Sequence, residues 1–170
     1  PVAGELHNVP PAQTMDQVIQ VNLYDQYGSI VTSENSLEAS ITAYNESTSV
    51  TGTTSVVAKN GVLKFESLKI NAEPLSEVYL LVSTSGIDPQ KKDSSNDQAE
   101  YINKVYYKLK LRDCKPGEFR NTMSCDKCSL ENYSLSPENE CKNCPSNADC
   151  PGGSLIYPKK GYWRASNTSD

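Results

Sequence analysis

The residues with the clearest potential for chemistry are the six cysteines of this 170-residue chain. They lie close together in the sequence, at Cys114, Cys125, Cys128, Cys141, Cys144 and Cys150. Two Cys-x-x-Cys pairs, at 125–128 and 141–144, have the spacing at which four thiolates hold a tetrahedral Zn²⁺. Three disulfide bonds are the alternative. They use all six sulfurs, whereas a four-ligand zinc site leaves Cys114 and Cys150 over.

Three Asn-x-Ser/Thr sequons favour disulfides over zinc. They begin at Asn45, Asn132 and Asn167, and each is a potential acceptor of an N-linked glycan. Sequons and an even number of cysteines together indicate an oxidising compartment, in which disulfide bonds persist. The sequence between the cysteines also lacks the strand-rich pattern of a zinc ribbon. We therefore predict an extracellular or cell-surface glycoprotein with three disulfide bonds and with no metal or cofactor.

Residues for catalysis are scarce. His7 is the single histidine of the chain, so a Ser-His-Asp or Cys-His arrangement must use it. It lies in a proline-flanked stretch, and we interpret it as an exposed polar side chain. Asp93, Asn96 and Asp97 offer oxygen ligands for Ca²⁺, but they lack the regular spacing and the glycine of a calcium loop. The sequence predicts that the protein is not an enzyme.

Charge and hydropathy exclude two further classes of partner. The formal net charge is −5, and no run of lysine or arginine is longer than a pair, whereas nucleic-acid binding needs clustered basic residues. No apolar stretch approaches the ~20 residues of a membrane span, and no signal-peptide pattern is present. Because the chain begins with Pro1, we expect a processed product or a segment of a longer protein.

Strands must position these residues, because apolar residues recur at every second position in the part of the chain that precedes the cysteines. The apolar members of the alternating runs are Ile19, Val21 and Leu23; Leu37, Ala39, Ile41 and Ala43; Leu63 and Phe65; Leu68 and Ile70; Val78, Leu80 and Val82; and Val105, Tyr107, Leu109 and Leu111. Such alternation places one face on a core and the other in water. Asn60-Gly61 predicts a type I′ turn, which needs positive φ at both positions. We expect an all-β protein.

The number of strands and two local patterns point to one sandwich class. About seven short strands in about 100 residues are typical of an immunoglobulin-like sandwich. Residues 21–28 (VNLYDQYG) and 60–65 (NGVLKF) resemble the Ig-like repeats of filamins and of bacterial invasin-type surface proteins. We therefore expect an Ig-like antiparallel β-sandwich over residues 16–112. Such repeats are mostly spacers and mechanical links, so the resemblance implies a structural role.

A second resemblance covers the cysteine segment. Residues 112–119 (RDCKPGEF), the two Cys-x-x-Cys pairs and residues 132–134 (NYS) look like the cysteine-rich repeat of ephrin-receptor-like ectodomains. They are also similar to tumour-necrosis-factor-receptor modules. Residues 148–153 (ADCPGG) and 161–164 (GYWR) resemble a motif common in large surface proteins of microbial eukaryotes.

This resemblance implies a sequential disulfide pattern. The implied pairs are Cys114–Cys125, Cys128–Cys141 and Cys144–Cys150. We expect a disulfide-rich module with little regular secondary structure over residues 113–151. The bonds meet a physical need, because this segment has too few apolar side chains for a core.

The two ends, which contain no cysteine, are the candidates for contact with partners. Residues 1–15 are expected to be an extended arm, either a disordered tail or a strand that adds to the sheet edge of a neighbour. Residues 152–170 are an aromatic tail, which either packs on its own chain or anchors an interface, since Trp, Tyr and Arg are enriched in interface hot spots. The predicted self-association residues are Val2, Leu6, Val9, Ile156, Tyr157, Tyr162, Trp163 and Arg164.

An arm at one end and an aromatic tail at the other predict a head-to-tail contact between copies. Such a contact generates filaments unless the rotation between successive copies closes a ring. The function predicted from sequence is a non-catalytic extracellular structural glycoprotein that self-associates into a fibre or surface coat. Its partners are copies of itself and covalent glycans, with no nucleic acid and no membrane span in this segment. The alternative is a ligand-binding or adhesion ectodomain fragment of a cell-surface receptor.

Overall fold

A computed structural model describes residues 2–87, 103–137 and 140–166. Within these ranges every regular element is a β-strand, which confirms the all-β prediction. In chain order the strands are β1 Val2–Val9, β2 Ile19–Asn22, β3 Glu38–Ala43, β4 Ser49–Thr51, β5 Ser55–Val57, β6 Val62–Phe65, β7 Lys69–Asn71, β8 Glu77–Thr84, β9 Lys104–Leu111, β10 Glu118–Arg120, β11 Cys125–Lys127, β12 Asn132–Tyr133, β13 Lys142–Asn143, β14 Ala148–Asp149 and β15 Tyr157–Pro158. No helix in these ranges is long and apolar enough to cross a membrane. The calcium ligands considered above, Asp93, Asn96 and Asp97, lie outside the described residues.

The first nine strands form a sandwich around one core. One layer is a five-stranded sheet with the order β1-β9-β8-β3-β5, and the strand pairs β2-β6 and β4-β7 cover it. The buried residues from both layers are Val9, Ile19, Ala39, Ile41, Leu63, Phe65, Ile70, Val78, Leu80, Val82, Leu109 and Leu111. The prediction of a β-sandwich followed by a disulfide-rich module is therefore confirmed. The strand pairs of the sandwich are antiparallel except β1–β9, which is parallel.

Strand β8 shows how the alternation builds this core. Val78, Leu80 and Val82 are buried, while Tyr79 and Leu81 on the opposite face are partly exposed. Burial of each such aliphatic side chain contributes about 1.5–3 kcal/mol relative to exposure. A slip of one residue would turn the apolar face to solvent, so the alternation also fixes the register of the strand.

The N-terminal segment differs from the predicted arm. Strand β1 pairs with β9 of its own sheet, with Leu6 opposite Leu109 and Val9 opposite Leu111. Val9 is fully buried and Leu6 packs against the core. The two residues are three positions apart, and the register shift between them, where Asn8 has a φ of 58°, brings both side chains to the same face. The sandwich therefore begins at β1, and the edge that receives this strand belongs to the same chain and not to a neighbour.

The predicted turn at Asn60-Gly61 is present, but the flanking strands separate after it. The φ angles are 50° at Asn60 and 73° at Gly61, and Lys59 and Val62 exchange backbone hydrogen bonds of 2.9 and 3.0 Å. A Cβ on Gly61 would lie 2.4 Å from the Val31 carbonyl oxygen, so glycine is required there. Strand β5 then pairs with β3 and β6 with β2, so the turn carries the chain from one layer to the other.

The cysteine segment contains three short antiparallel ladders, β10–β11, β12–β13 and β14–β15. Each strand is only two or three residues long. This matches the expectation of little regular secondary structure. Cross-links must therefore supply stability that the ladders cannot.

Candidate functional site

The three disulfide bonds follow one another along the chain. Cys114 bonds to Cys125, Cys128 to Cys141 and Cys144 to Cys150, with Cα–Cα distances of 5.2, 5.7 and 5.7 Å. These are the pairs implied by the receptor-like resemblance, and they leave no cysteine free. Zinc is bound by cysteine thiolates, and a cysteine in a disulfide bond has no thiolate to donate to a metal. The six sulfurs are therefore cross-links in this structure.

The same reasoning applies to a cluster at the start of the module. A carboxylate oxygen of Glu118 and the sulfurs of Cys114 and Cys125 lie within 4.8 Å of one another. Cys114 and Cys125 form a disulfide, however, and Glu118 is bound by Arg112. The disulfide bond and the ion pair with Arg112 therefore account for the closeness of these three side chains.

The disulfide module has a small apolar core of its own. Tyr133, Ala148, Cys150 and Ile156 are buried together, and Leu135 packs against them. Ile156 is only 7% exposed, whereas the sequence placed it among the self-association residues. The β14–β15 ladder folds the tail back onto the module, so Ile156 anchors the tail to its own chain.

Hydrogen bonds order the backbone of the tail beyond this anchor. Lys159 N donates to Asn147 O at 2.9 Å, and Tyr162 N donates to Lys159 O at 3.0 Å around a turn. Arg164 Nη1 reaches back to Ile156 O at 3.4 Å. The described tail is thus a fixed hairpin and turn.

This ordered tail presents aromatic side chains to solvent. Trp163 is 84% exposed, Tyr162 59% and Tyr157 54%. An aromatic side chain of this size buries on the order of 150–250 Å² in a protein interface. The tail therefore packs Ile156 against its own module and leaves the rings of Tyr157, Tyr162 and Trp163 exposed to solvent.

The predicted self-association residues therefore divide into two groups. Val9, Leu6 and Ile156 pack within the chain's own fold, and the side chain of Val2 lies outside the described residues. Tyr157, Tyr162 and Trp163 are exposed, and Arg164 is partly buried.

A polar cluster joins the sandwich to the disulfide module. Arg112 Nη1 lies 2.8 Å from Glu118 Oε2, and Arg112 Nη2 lies 2.8 Å from Oε1. The two side chains are only 11% and 13% exposed. Gln13 Nε2 donates to Glu118 Oε1 at 2.9 Å and to Cys125 O at 2.8 Å. Three separate parts of the sequence meet at this point.

The environment of Glu118 keeps it ionised. Burial opposes the charged form, but hydrogen bonds from Arg112, Gln13 and the Lys115 backbone N–H, with the charge of Arg112, outweigh burial and lower the pKa of Glu118 to about 2. The ion pair therefore persists through the whole physiological pH range.

The structure separates the sequons by accessibility. Asn45 is exposed in the loop between β3 and β4. Asn132 is half-buried in β12, and its Nδ2 donates to Ser129 Oγ and Leu130 O, each at 3.2 Å. Asn167 lies outside the described residues. Asn45 is the more accessible acceptor of the two that are described.

His7 has the environment that the sequence indicated. Its side chain is 57% exposed, and its Nε2 is 4.0 Å from Glu5 Oε1. The predicted exposure is confirmed.

Sequence reasoning missed the Gln13–Arg112–Glu118 cluster. Gln13 and Glu118 are 105 residues apart, and no periodic pattern connects them. Comparisons with protein-family models, with curated proteins and with solved structures find no match to this chain.

Proposed function

We propose that this chain is a non-catalytic extracellular structural module that associates with copies of itself through its aromatic tail. The observation that carries the proposal is Trp163, which is 84% exposed and directly follows a turn closed by the hydrogen bond from Tyr162 N to Lys159 O. An ordered anchor loses little conformational entropy on binding, so more of its contact energy becomes affinity. Trp and Tyr are also the residues most enriched in interface hot spots.

Charge supports a second copy as the partner. The tail carries Lys159, Lys160 and Arg164 within six positions, on a chain whose formal net charge is −5. A locally cationic tail on an acidic protein favours contact with another acidic copy, because complementary charge speeds and orients association.

The sheet edges are poor alternatives for self-association. Strand β5, at one edge, has three residues. Strand β1, at the other edge, has register shifts between Val2 and Gly4 and between Leu6 and Val9. Short or irregular edges resist pairing with other chains. We therefore assign self-association to the tail side chains, in a heterologous contact that propagates as a filament.

Four further features support an extracellular spacer. The disulfide bonds suit an oxidising compartment, the sequons offer glycan acceptors, and the resemblance to filamin-type and invasin-type repeats implies a mechanical role. The fixed Arg112–Glu118 junction also suits a spacer, because it resists bending between the two modules.

Electron microscopy of the chain secreted from a eukaryotic host tests the proposal. We expect fibres or a regular coat from the purified protein, and single particles from the Trp163→Ala variant. Single particles from both would favour the rival function, a ligand-binding receptor fragment.

A further inference from the structure

The outer face of the five-stranded sheet contains a groove that the proposed function does not use. It lies toward the β5 edge and has a volume of about 620 Å³, which is within the ~300–1,000 Å³ typical of small-molecule sites. Its walls include Glu38, Ser40, Ser55, Val57, Ser83 and Ser85. Ser40 and Ser83 face outward because their neighbours Ala39, Ile41 and Val82 are buried.

One buried side chain of this groove has an unsatisfied polar atom. Asn103 is 7% exposed and lines the groove. Its Oδ1 is buried and has no hydrogen-bond partner, while its Nδ2 makes only a 3.5 Å contact with Thr84 O. Buried acceptors without a donor are rare in folded proteins, and this one belongs to a residue that lines the groove.

Side-chain hydroxyl groups line the same groove. Ser40 Oγ and Ser83 Oγ are 3.4 Å apart, and Thr84 Oγ1 is already used as a donor to Glu38 O at 2.6 Å. In the described ranges no side-chain hydrogen bond engages Ser55, Ser85 or the carboxylate of Glu38. The groove therefore offers free donors as well as free acceptors.

We propose that this groove binds a short neutral oligosaccharide. Sugar hydroxyls both donate and accept, so they satisfy serine hydroxyls, the Glu38 carboxylate and the Asn103 acceptor together. Val57, which is 46% exposed, provides an apolar contact for the C–H face of a sugar ring. The carboxylate of Glu38 in the groove wall disfavours a sulfated, phosphorylated or otherwise anionic ligand.

A peptide strand suits the groove less well. Strand addition needs a row of free backbone groups, and the free edge of β5 is three residues long. The saccharide therefore fits the observations better than an added strand.

Isothermal titration with four neutral trisaccharides tests this assignment. They are built from glucose, N-acetylglucosamine, mannose or galactose, and a polar decapeptide is the fifth probe. We expect at least one trisaccharide to bind with a Kd of about 1 mM or tighter. Ser55→Arg, which places a long side chain in the groove, is expected to weaken that binding at least about tenfold. Thr51→Arg, the same charge change at an exposed position on β4 in the other layer, is expected to bind like wild type.

Asn103→Leu separates a binding role from a structural role. Because Oδ1 has no partner, the apolar substitution is expected to leave the melting temperature unchanged or raised and to weaken saccharide binding about tenfold. Binding to none of the trisaccharides at about 10 mM, binding to the decapeptide alone, or full binding by the Ser55→Arg variant would overturn the assignment. These results are independent of filament formation, so they do not depend on the role of Trp163.

Discussion

Arg112 and Glu118 form a two-point ion pair where the last strand of the sandwich leads into the disulfide module. Both nitrogen–oxygen distances are 2.8 Å, and the side chains are 11% and 13% exposed. Arg112 N also donates to Val9 O at 2.9 Å, so the pair is attached to strand β1 as well as to β9. The two modules are therefore joined by fixed contacts in addition to the covalent chain.

Glu118→Gln is expected to destabilise this junction. The substitution leaves the buried guanidinium of Arg112 without its counter-charge, and we expect the free energy of unfolding to fall by about 3 kcal/mol. Urea denaturation followed by circular dichroism measures the change. Glu131→Gln, at an exposed carboxylate of the same module, is the control, and it should alter stability by less than about 0.5 kcal/mol.

The pH dependence gives an independent check on the same pair. The pKa of Glu118 is lowered from 4.5 to about 2 in the folded protein, so its stabilisation is complete above pH 4.5 and is lost as the pH falls toward 2. The Glu118→Gln variant should lose less stability than wild type across that window. Parallel acid curves for the two proteins would contradict this role of Glu118.

The sequence predicted those structural features that depend on residues close together in the chain. Val78, Leu80 and Val82 are buried in β8 because alternate side chains of a strand point to the same face of the sheet. The Asn60-Gly61 turn has the positive φ angles that its residue types require. Such features depend on neighbouring residues alone.

The sequence pattern did not predict the contacts between residues that are far apart in the chain. The parallel pairing of β1 depends on the free edge of β9, which no pattern in residues 1–15 indicates. Ile156 is buried because β15 folds back onto Tyr133, so its apolar character alone did not distinguish an anchor from an exposed contact. The Asn103 groove likewise joins residues from β3, β5 and β8 with the residue before β9.

Reduction is expected to unfold the disulfide module and to leave the sandwich folded. Each bond should contribute about 2–4 kcal/mol, and the module's own core contains only a few buried side chains. Two-dimensional NMR with and without dithiothreitol measures the change by module, and a zinc chelator is the control. Loss of the fold on chelation, with no effect of reductant, would contradict the disulfide assignment.

Val9→Ala is expected to lower the free energy of unfolding by about 2 kcal/mol, because a fully buried side chain leaves a cavity in the core. Val18→Ala, at a site 44% exposed, is the matched control and should change stability little. Thermal unfolding of both variants measures the difference. Equal stabilities would mean that the N-terminal strand is a detachable arm.

Asn45 is expected to carry most of the glycan mass on the described residues, because Asn132 is half-buried and its Nδ2 is hydrogen-bonded. The measurement is mass spectrometry of protein secreted from a eukaryotic host, in an Asn167→Gln background. Asn45→Gln should remove most of the glycan, and Asn132→Gln should remove little. The reverse order would show that accessibility in the folded chain does not decide which sequon is used.

Sedimentation of the Trp163→Ala variant tests the central claim most directly. Loss of an interface hot spot costs at least about 2 kcal/mol, which is roughly a thirtyfold weaker association. Tyr27→Ala is the matched control, because Tyr27 is an aromatic residue that is 83% exposed elsewhere in the chain. We predict that wild type and Tyr27→Ala grow in mass with concentration while Trp163→Ala stays monomeric. Growth of Trp163→Ala equal to that of wild type, or a wild-type monomer at about 0.1 mM, would contradict self-association through the tail.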